Sequence, residues 1–269
     1  MEAKKLTLLL LCLLCAAGIF AQNKLYKKAV FRSGPDSLQY RVMYPEGFST
    51  SEDYPVVLFL HGSGERGNDN SKQLTHGSAL FSKAENREKF PAIVIFPQCP
   101  ANDYWAKVEV DRSVQPLDFK YHYEEAPTKP LDLTIQLMDS LLSEPYVKKD
   151  QVYVMGLSMG GMGTFEILYR RPEMFAAAIP ICGGGDTNAA KEYATKVPLW
   201  IFHGARDNVV DPLLSVTMAS SILEYGGYPN LTLYSDANHN SWDPAFKEPG
   251  LLAWLFSNTS KSKNGKTTD

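Results

Sequence analysis

Ser158 lies in Gly156-Leu157-Ser158-Met159-Gly160, a G-x-S-x-G spacing, with further glycines at 161 and 163. A serine hydroxyl is a weak nucleophile at neutral pH. It attacks a carbonyl only when a neighbouring base takes its proton and a third group holds that base in the right tautomer. Five residues alone carry little weight, since a glycine-rich strand-helix junction can hold an incidental serine. The setting carries more: the apolar run QVYVMGL (151–157) precedes the serine and a segment of helical period follows it, which is the context a nucleophile elbow requires. At such a turn the serine backbone is strained and flanking side chains would collide. Gly156 and Gly160 are therefore read as clearing space around Ser158, and Gly161 and Gly163 as letting the next helix approach a sheet.

The partners are sought in chain order, because an elbow serine is followed by its acid and last by its histidine. "WIFHGARDNVVD" (200–211) places Asp207 just past an apolar run, and "LYSDANHNSWD" (233–243) places His239 just past another. Of the five histidines, His61 and His203 end strand-like runs in His-Gly pairs, where bonding to nearby backbone is the expectation, and His76 and His122 fall in long connections. Asp211 rivals Asp207, but Asp211-Pro212 reads as a helix N-cap with proline at the first helical position; Asp236 is close to His239 in sequence. An oxyanion needs two preorganised donors. The backbone N–H of Met159, directly after the nucleophile, is one candidate; the other lies in "HGSGERG" (61–67), with Ser63 first and Gly64 second.

These residues need a scaffold. Lys24–Arg32 and Leu38–Tyr44 read as two strands joined by Gly34-Pro35-Asp36 turn chemistry, hence an antiparallel hairpin. Later runs at 54–62, 90–98, 151–158, 175–183, 197–204 and 230–237 are short and almost continuously apolar, as strands buried on both faces of a parallel sheet are. Between them Leu133, Leu137 and Leu141 repeat at four-residue spacing, Phe165 and Leu168 continue the segment behind Ser158, and Leu213–Tyr225 follows the Asp-Pro start. Alternation of this kind implies a doubly wound α/β fold: a mostly parallel central sheet, helices on both faces and an N-terminal antiparallel hairpin. One helix is expected within 62–89. The connection 99–129 carries Tyr104, Trp105, Phe119, Tyr121 and Tyr123 among prolines and charges. A connection of that length covers a site or is disordered. Tyr104 and Trp105 are candidates to line an acyl or sugar subsite, the competing reading being that they anchor the loop; Trp242 either walls the pocket or packs the last helix.

The 269 residues carry a formal charge of −3, with 44% hydrophobic and 21% charged residues, the composition of a globular protein without the basic excess of a nucleic-acid binder. Lys4 and Lys5 precede an apolar stretch to Ala17, and Ile19-Phe20-Ala21 fits a signal-peptidase site. Residues 1–21 read as a signal peptide cut near Ala21/Gln22, residues 22–260 as one domain, and 261–269 as a disordered polar tail. The expected destination is a periplasm or the exterior. A membrane anchor competes, but the apolar run is shorter than the about 20 residues a span needs. Cys12 and Cys15 leave with the expected leader and Cys99 and Cys182 remain; a disulfide would need their loops to converge, and the absence of CxxC or HxxxH spacing after residue 21 argues against zinc.

Taken together, "LHGSGERG" (60–67), "FPQCP" (96–100) with Trp105 following, "GLSMGGMGTF" (156–165), "IPICGGGD" (179–186), "HGARDNVV" (203–210) and "NHNSWDPAF" (238–246) resemble serine hydrolases of the α/β-hydrolase superfamily. They are most similar to the secreted carboxylesterases and peptidase-named proteins near dienelactone hydrolase and the feruloyl and acetyl-xylan esterases. The resemblance implies the α/β-hydrolase fold, a Ser158-His239-Asp207 triad, no metal or organic cofactor, and an ester of a small molecule or carbohydrate as substrate. Peptide cleavage of the prolyl-oligopeptidase type is the alternative, and a non-catalytic binding module on the same fold a further one; the latter usually lacks a triad member.

Overall fold

The computed structural model describes residues 24–260; the expected leader and polar tail lie outside the described residues. Strand β1 (Lys27–Ser33) turns at Gly34 into β2 (Asp36–Met43), and this antiparallel hairpin forms one edge of an eight-stranded sheet. It is followed by β3 (Tyr54–Leu60), β4 (Ile93–Pro97), β7 (Val147–Leu157), β8 (Ala177–Ile181), β9 (Trp200–Gly204) and β10 (Asn230–Tyr234). The order is β1-β2-β4-β3-β7-β8-β9-β10, antiparallel across β1/β2 and β2/β4 and parallel from β4 to β10.

Strand alternation sorts the core into two layers. Val56, Leu58, Leu60, Val152 and Val154 face one side, where they meet helices α3 (Lys129–Leu142), α4 (Met159–Arg170) and α5 (Pro212–Glu224) through Leu131, Met138, Phe165 and Met218. Val57, Phe59, Tyr153, Met155 and Leu157 face the other, against α1 (Ser78–Ser82), α6 (Trp242–Ala245) and α7 (Leu251–Ser257) through Leu80, Phe81, Ala245 and Leu255. Among the described residues no helix is long and apolar enough to cross a membrane.

Two connections differ from expectation. Residues 62–89 hold α1 and a separate α2 (Ala84–Lys89) rather than one helix, because Lys83 adopts an extended conformation (φ −57°, ψ 132°) between them. The connection 99–129 contains a second, two-stranded sheet, β5 (Val108–Asp111) against β6 (Asp118–Tyr121). Its outer positions are exposed, so it lacks the apolar runs that mark the central strands. Cys99 and Cys182 are buried free thiols. They follow β4 and β8, which β3 and β7 separate; three strand spacings are about 14 Å, twice the reach of a disulfide.

Candidate active site

The site forms where β3, β7, β8, β9 and β10 end. Ser158 occupies φ 54°, ψ −118°, a positive φ that costs a non-glycine residue about 1–3 kcal/mol and persists only where surroundings impose it. Here the Ser158 N–H donates to Ile181 O (2.8 Å) on β8, and α4 starts directly behind. A Cβ on Gly156 would stand 2.2 Å from Gly160 O, and one on Gly160 only 2.0 Å from Leu60 O. The glycines are therefore required by close backbone approach on both sides of the turn, and Ser158 is left projecting at the head of the helix.

His239 lies in the loop after β10. Its Nδ1 is 2.7 Å from Asp207 Oδ2 and its Nε2 is 2.9 Å from Ser158 Oγ. A carboxylate oxygen only accepts, so Nδ1 carries the proton and Nε2 presents its lone pair to the serine hydroxyl. Asp207 stands in the loop between β9 and α5, and its Oδ1 accepts the N–H groups of Val209 (2.9 Å) and Val210 (3.0 Å). Burial by itself would push this carboxyl up; the hydrogen bonds from His203 and His239, the His239 charge and the Val209 N–H outweigh it and hold Asp207 well below the usual carboxylate range. The Asp207 and His239 loops are tied directly: Arg206 N–H donates to Ala237 O (3.0 Å), across Gly204, where a Cβ would meet Asn238 O at 2.3 Å.

The other sequence candidates fall into place around this chain. Asp211 caps α5, accepting Leu213 N–H at 2.8 Å, and Asp236 pairs with Arg206 at the surface. His61 donates from Nδ1 to Gly62 O (2.6 Å) and accepts Cys99 N–H at Nε2 (3.0 Å); burial lowers its pKa to about 4, so it stays neutral. Met159 is the first residue of α4, where the N–H has no partner within the helix. Ser63 opens a 3-10 turn over Ser63–Glu65, and Gly62 beside it packs against Leu157, the residue before Ser158. The turn therefore lies over the elbow.

Trp105 is a correction. It is 0% exposed, its indole N–H donates to His61 O (3.0 Å), and its Cβ is what a side chain on Gly163 would strike, at 2.5 Å. It anchors the long connection beneath the elbow and has no face for a substrate. Tyr104 next to it is half-buried with the Arg66 guanidinium 5.6 Å over its ring, and Trp242 is half-buried with its ring edge-on to His239 at 5.5 Å. Glu166 on α4 holds the connection from below: fully buried, it accepts Lys107 N–H and the Arg170 guanidinium. Sequence reasoning missed a relation: His203 places Nε2 3.1 Å from Asp207 Oδ2. The signal available was the four-residue spacing of His203 and Asp207 in one segment. Cys182, Asp207 and His239 bring ligand atoms within 4.8 Å of one another. They do not suit a metal: Asp207 is saturated by four donors, and burial keeps the thiol protonated.

A crystal structure of a thermostable esterase aligns with a TM-score of 0.77 and 32% identity, over 88% of this chain and 64% of that one. A ferulic acid esterase from Anaeromyces mucronatus, solved with ferulic acid, shares the fold at a TM-score of 0.63 and 16% identity, over 84% of this chain and 89% of that one. A bifunctional acetylxylan esterase/xylanase of Neocallimastix patriciarum is 31% identical over 84 residues, 31% of this chain. The chain thus spans 64% of the length of the first esterase and 12% of the bifunctional enzyme. The α/β-hydrolase architecture is shared by all of the solved structures named here. The model of the family described as "Putative esterase" matches residues 34–214, more than half of the chain, and the protein belongs to that family.

Proposed function

We propose that this protein is an exported serine hydrolase that cleaves carboxylic esters through an acyl-enzyme intermediate. The observation that carries the reading is the unbroken hydrogen-bond chain Asp207–His239–Ser158, at 2.7 and 2.9 Å, ending on a serine held at a strained elbow. His239 Nε2 takes the hydroxyl proton as Ser158 Oγ attacks the ester carbonyl, and Asp207 stabilises the imidazolium that forms. The Met159 and Ser63 N–H groups face the oxyanion. His239 returns the proton to the departing alcohol; water then enters, is deprotonated by the same nitrogen, and releases the acid with Ser158 restored. The names of the relatives favour feruloyl or acetyl groups on plant polysaccharide as the substrate class. Trp242, half-buried and edge-on to His239, is the side chain proposed to meet it, with the half-buried Tyr104 under the Arg66 guanidinium as a second candidate. Export, with cleavage near Ala21/Gln22, fits a polymeric substrate outside the cell.

The test is hydrolysis of aryl acetates and butyrates, methyl ferulate, acetylated xylan and a prolyl peptide amide by the chain beginning at Gln22, each beside Ser158→Ala. Loss of about 10⁴-fold or more on esters in the alanine variant is expected. A folded Ser158→Ala protein with near-wild-type turnover would defeat the assignment, and serine-dependent peptide cleavage with little ester turnover would transfer the site to the peptidase reading.

A further inference from the structure

The proposed triad uses one of two histidines on Asp207. The other, His203 on β9, is 0% exposed. Its Nε2 is 3.1 Å from Asp207 Oδ2 and 3.1 Å from Val210 O, both acceptors, so Nε2 carries a proton. Its Nδ1 lies 2.7 Å from Ser215 Oγ on α5, and that hydroxyl is also 2.9 Å from Gly183 O. The oxygen that receives His203 is the one that receives His239 at 2.7 Å. Two ring N–H groups therefore draw on one carboxylate oxygen, while Val209 and Val210 hold the other.

We infer that His203 is a positioning residue that sets the basicity of His239 by sharing Asp207 Oδ2. The inference rests on the triad reading above. Its physical content is twofold. With Oδ1 pinned by two backbone N–H groups and Oδ2 by His203, the carboxylate cannot rotate, so the oxygen offered to His239 is fixed before substrate arrives. The second donor also withdraws charge from Oδ2, which weakens the stabilisation Asp207 gives to a protonated His239. A base left less strongly protonated is available at lower pH, which favours the step in which it must accept the serine proton.

The surroundings leave few other groups to tune this chain. His203 faces Asp207, Ser215 and the backbone of Val210. From β8 the Cys182 thiol approaches Asp207 and His239, but burial pushes it up and keeps it uncharged. Beyond His239 stand Ser158 and the ring of Trp242, with His76 5.1 Å from that ring and 3.8 Å from the buried carboxyl of Glu65. Asp211 is engaged in capping α5, and Asp236 in its pair with Arg206.

The experiment is the pH dependence of kcat/KM for an aryl acetate in wild type, His203→Leu and His203→Gln, with Ser158→Ala as reference. Leucine keeps the volume and removes the donor; the glutamine amide returns an N–H near the place of Nε2. The acid limb of His203→Leu is expected about half to one pH unit higher, a loss of about 3–10-fold in kcat/KM on that limb, and His203→Gln is expected to move it back. A purely structural role would lower the plateau and leave the limb in place; a folded His203→Leu protein with an unmoved limb overturns the inference. Should that variant not fold, nitrogen-15 imidazole spectra of the wild type decide: His203 is expected protonated at Nε2, and a bare Nε2 overturns the proposal. Turnover surviving in Ser158→Ala would instead sink the triad reading itself, so the two failures are distinct.

Discussion

Gly160→Ala tests the geometry of the elbow without touching any reacting atom. Gly160 is the second residue of α4, and a Cβ there would stand 2.0 Å from Leu60 O, 2.5 Å from Leu60 C and 2.8 Å from His61 O. All three are backbone atoms, so no side chain can swing aside. Ordinary contact begins near 3.4 Å, and the helix and the end of β3 must therefore part by about 1.4 Å. Helix propensity works the other way, favouring alanine by about 1 kcal/mol, which makes any loss steric. The two N–H groups assigned to the oxyanion lie on opposite sides of this contact, Met159 on the helix and Ser63 two residues beyond His61. A misplacement of about 1 Å costs about 100-fold, and loss of one donor about 10²–10³ in kcat. Overpacking should also lower stability by about 1–3 kcal/mol. Steady-state kinetics on an aryl acetate, with circular dichroism and a urea midpoint to verify folding, measure both. The expected result is a fall of about 100-fold in kcat with a smaller change in KM, because the donors act on the oxyanion more than on the ground-state carbonyl. A folded variant with wild-type kcat would refute the placement of the oxyanion donors.

Two further expectations follow from buried carboxylates. Glu166→Ala removes the acceptor of Lys107 N–H and the carboxylate partner of Arg170, whose guanidinium keeps the Tyr123 and Glu125 carbonyls; a loss of about 1–3 kcal/mol in urea unfolding is expected, and an unchanged midpoint would mean that the carboxylate does not hold the loop. Asp207 is held below its ordinary 3.8 in the folded state. Its contribution to stability is therefore complete above that value and is lost as pH falls through the lower, folded one. Wild type should lose more stability than Asp207→Asn between about pH 4 and 2, and parallel losses in thermal midpoint would contradict the depressed carboxyl.

Much of this arrangement was legible in the chain because its signals are local. Buried parallel strands are written as short apolar runs, as in Tyr54–Leu60, where seven consecutive residues are buried. An elbow declares itself through small residues on both sides of Ser158, and the candidate acid and histidine through their places just beyond later strands. Trp105 was not legible, since an aromatic residue in a polar connection reads equally as a subsite wall or as an anchor. The hairpin β5/β6 escaped because its half-exposed strands bury too little to show a run.

The sequence by itself determined the order of the candidate nucleophile, acid and base, the helices on both faces of the sheet and the need for glycine at the elbow. Each of these follows from residue type and spacing within a few positions. Only the tertiary structure decided that one oxygen of Asp207 serves two histidines, that Trp105 faces inward, and that Cys99 and Cys182 stay apart. Those facts depend on the order β4-β3-β7-β8-β9-β10. Parallel pairing joins segments far apart in the chain, and side chains that share no local pattern become partners only when those strands lie side by side.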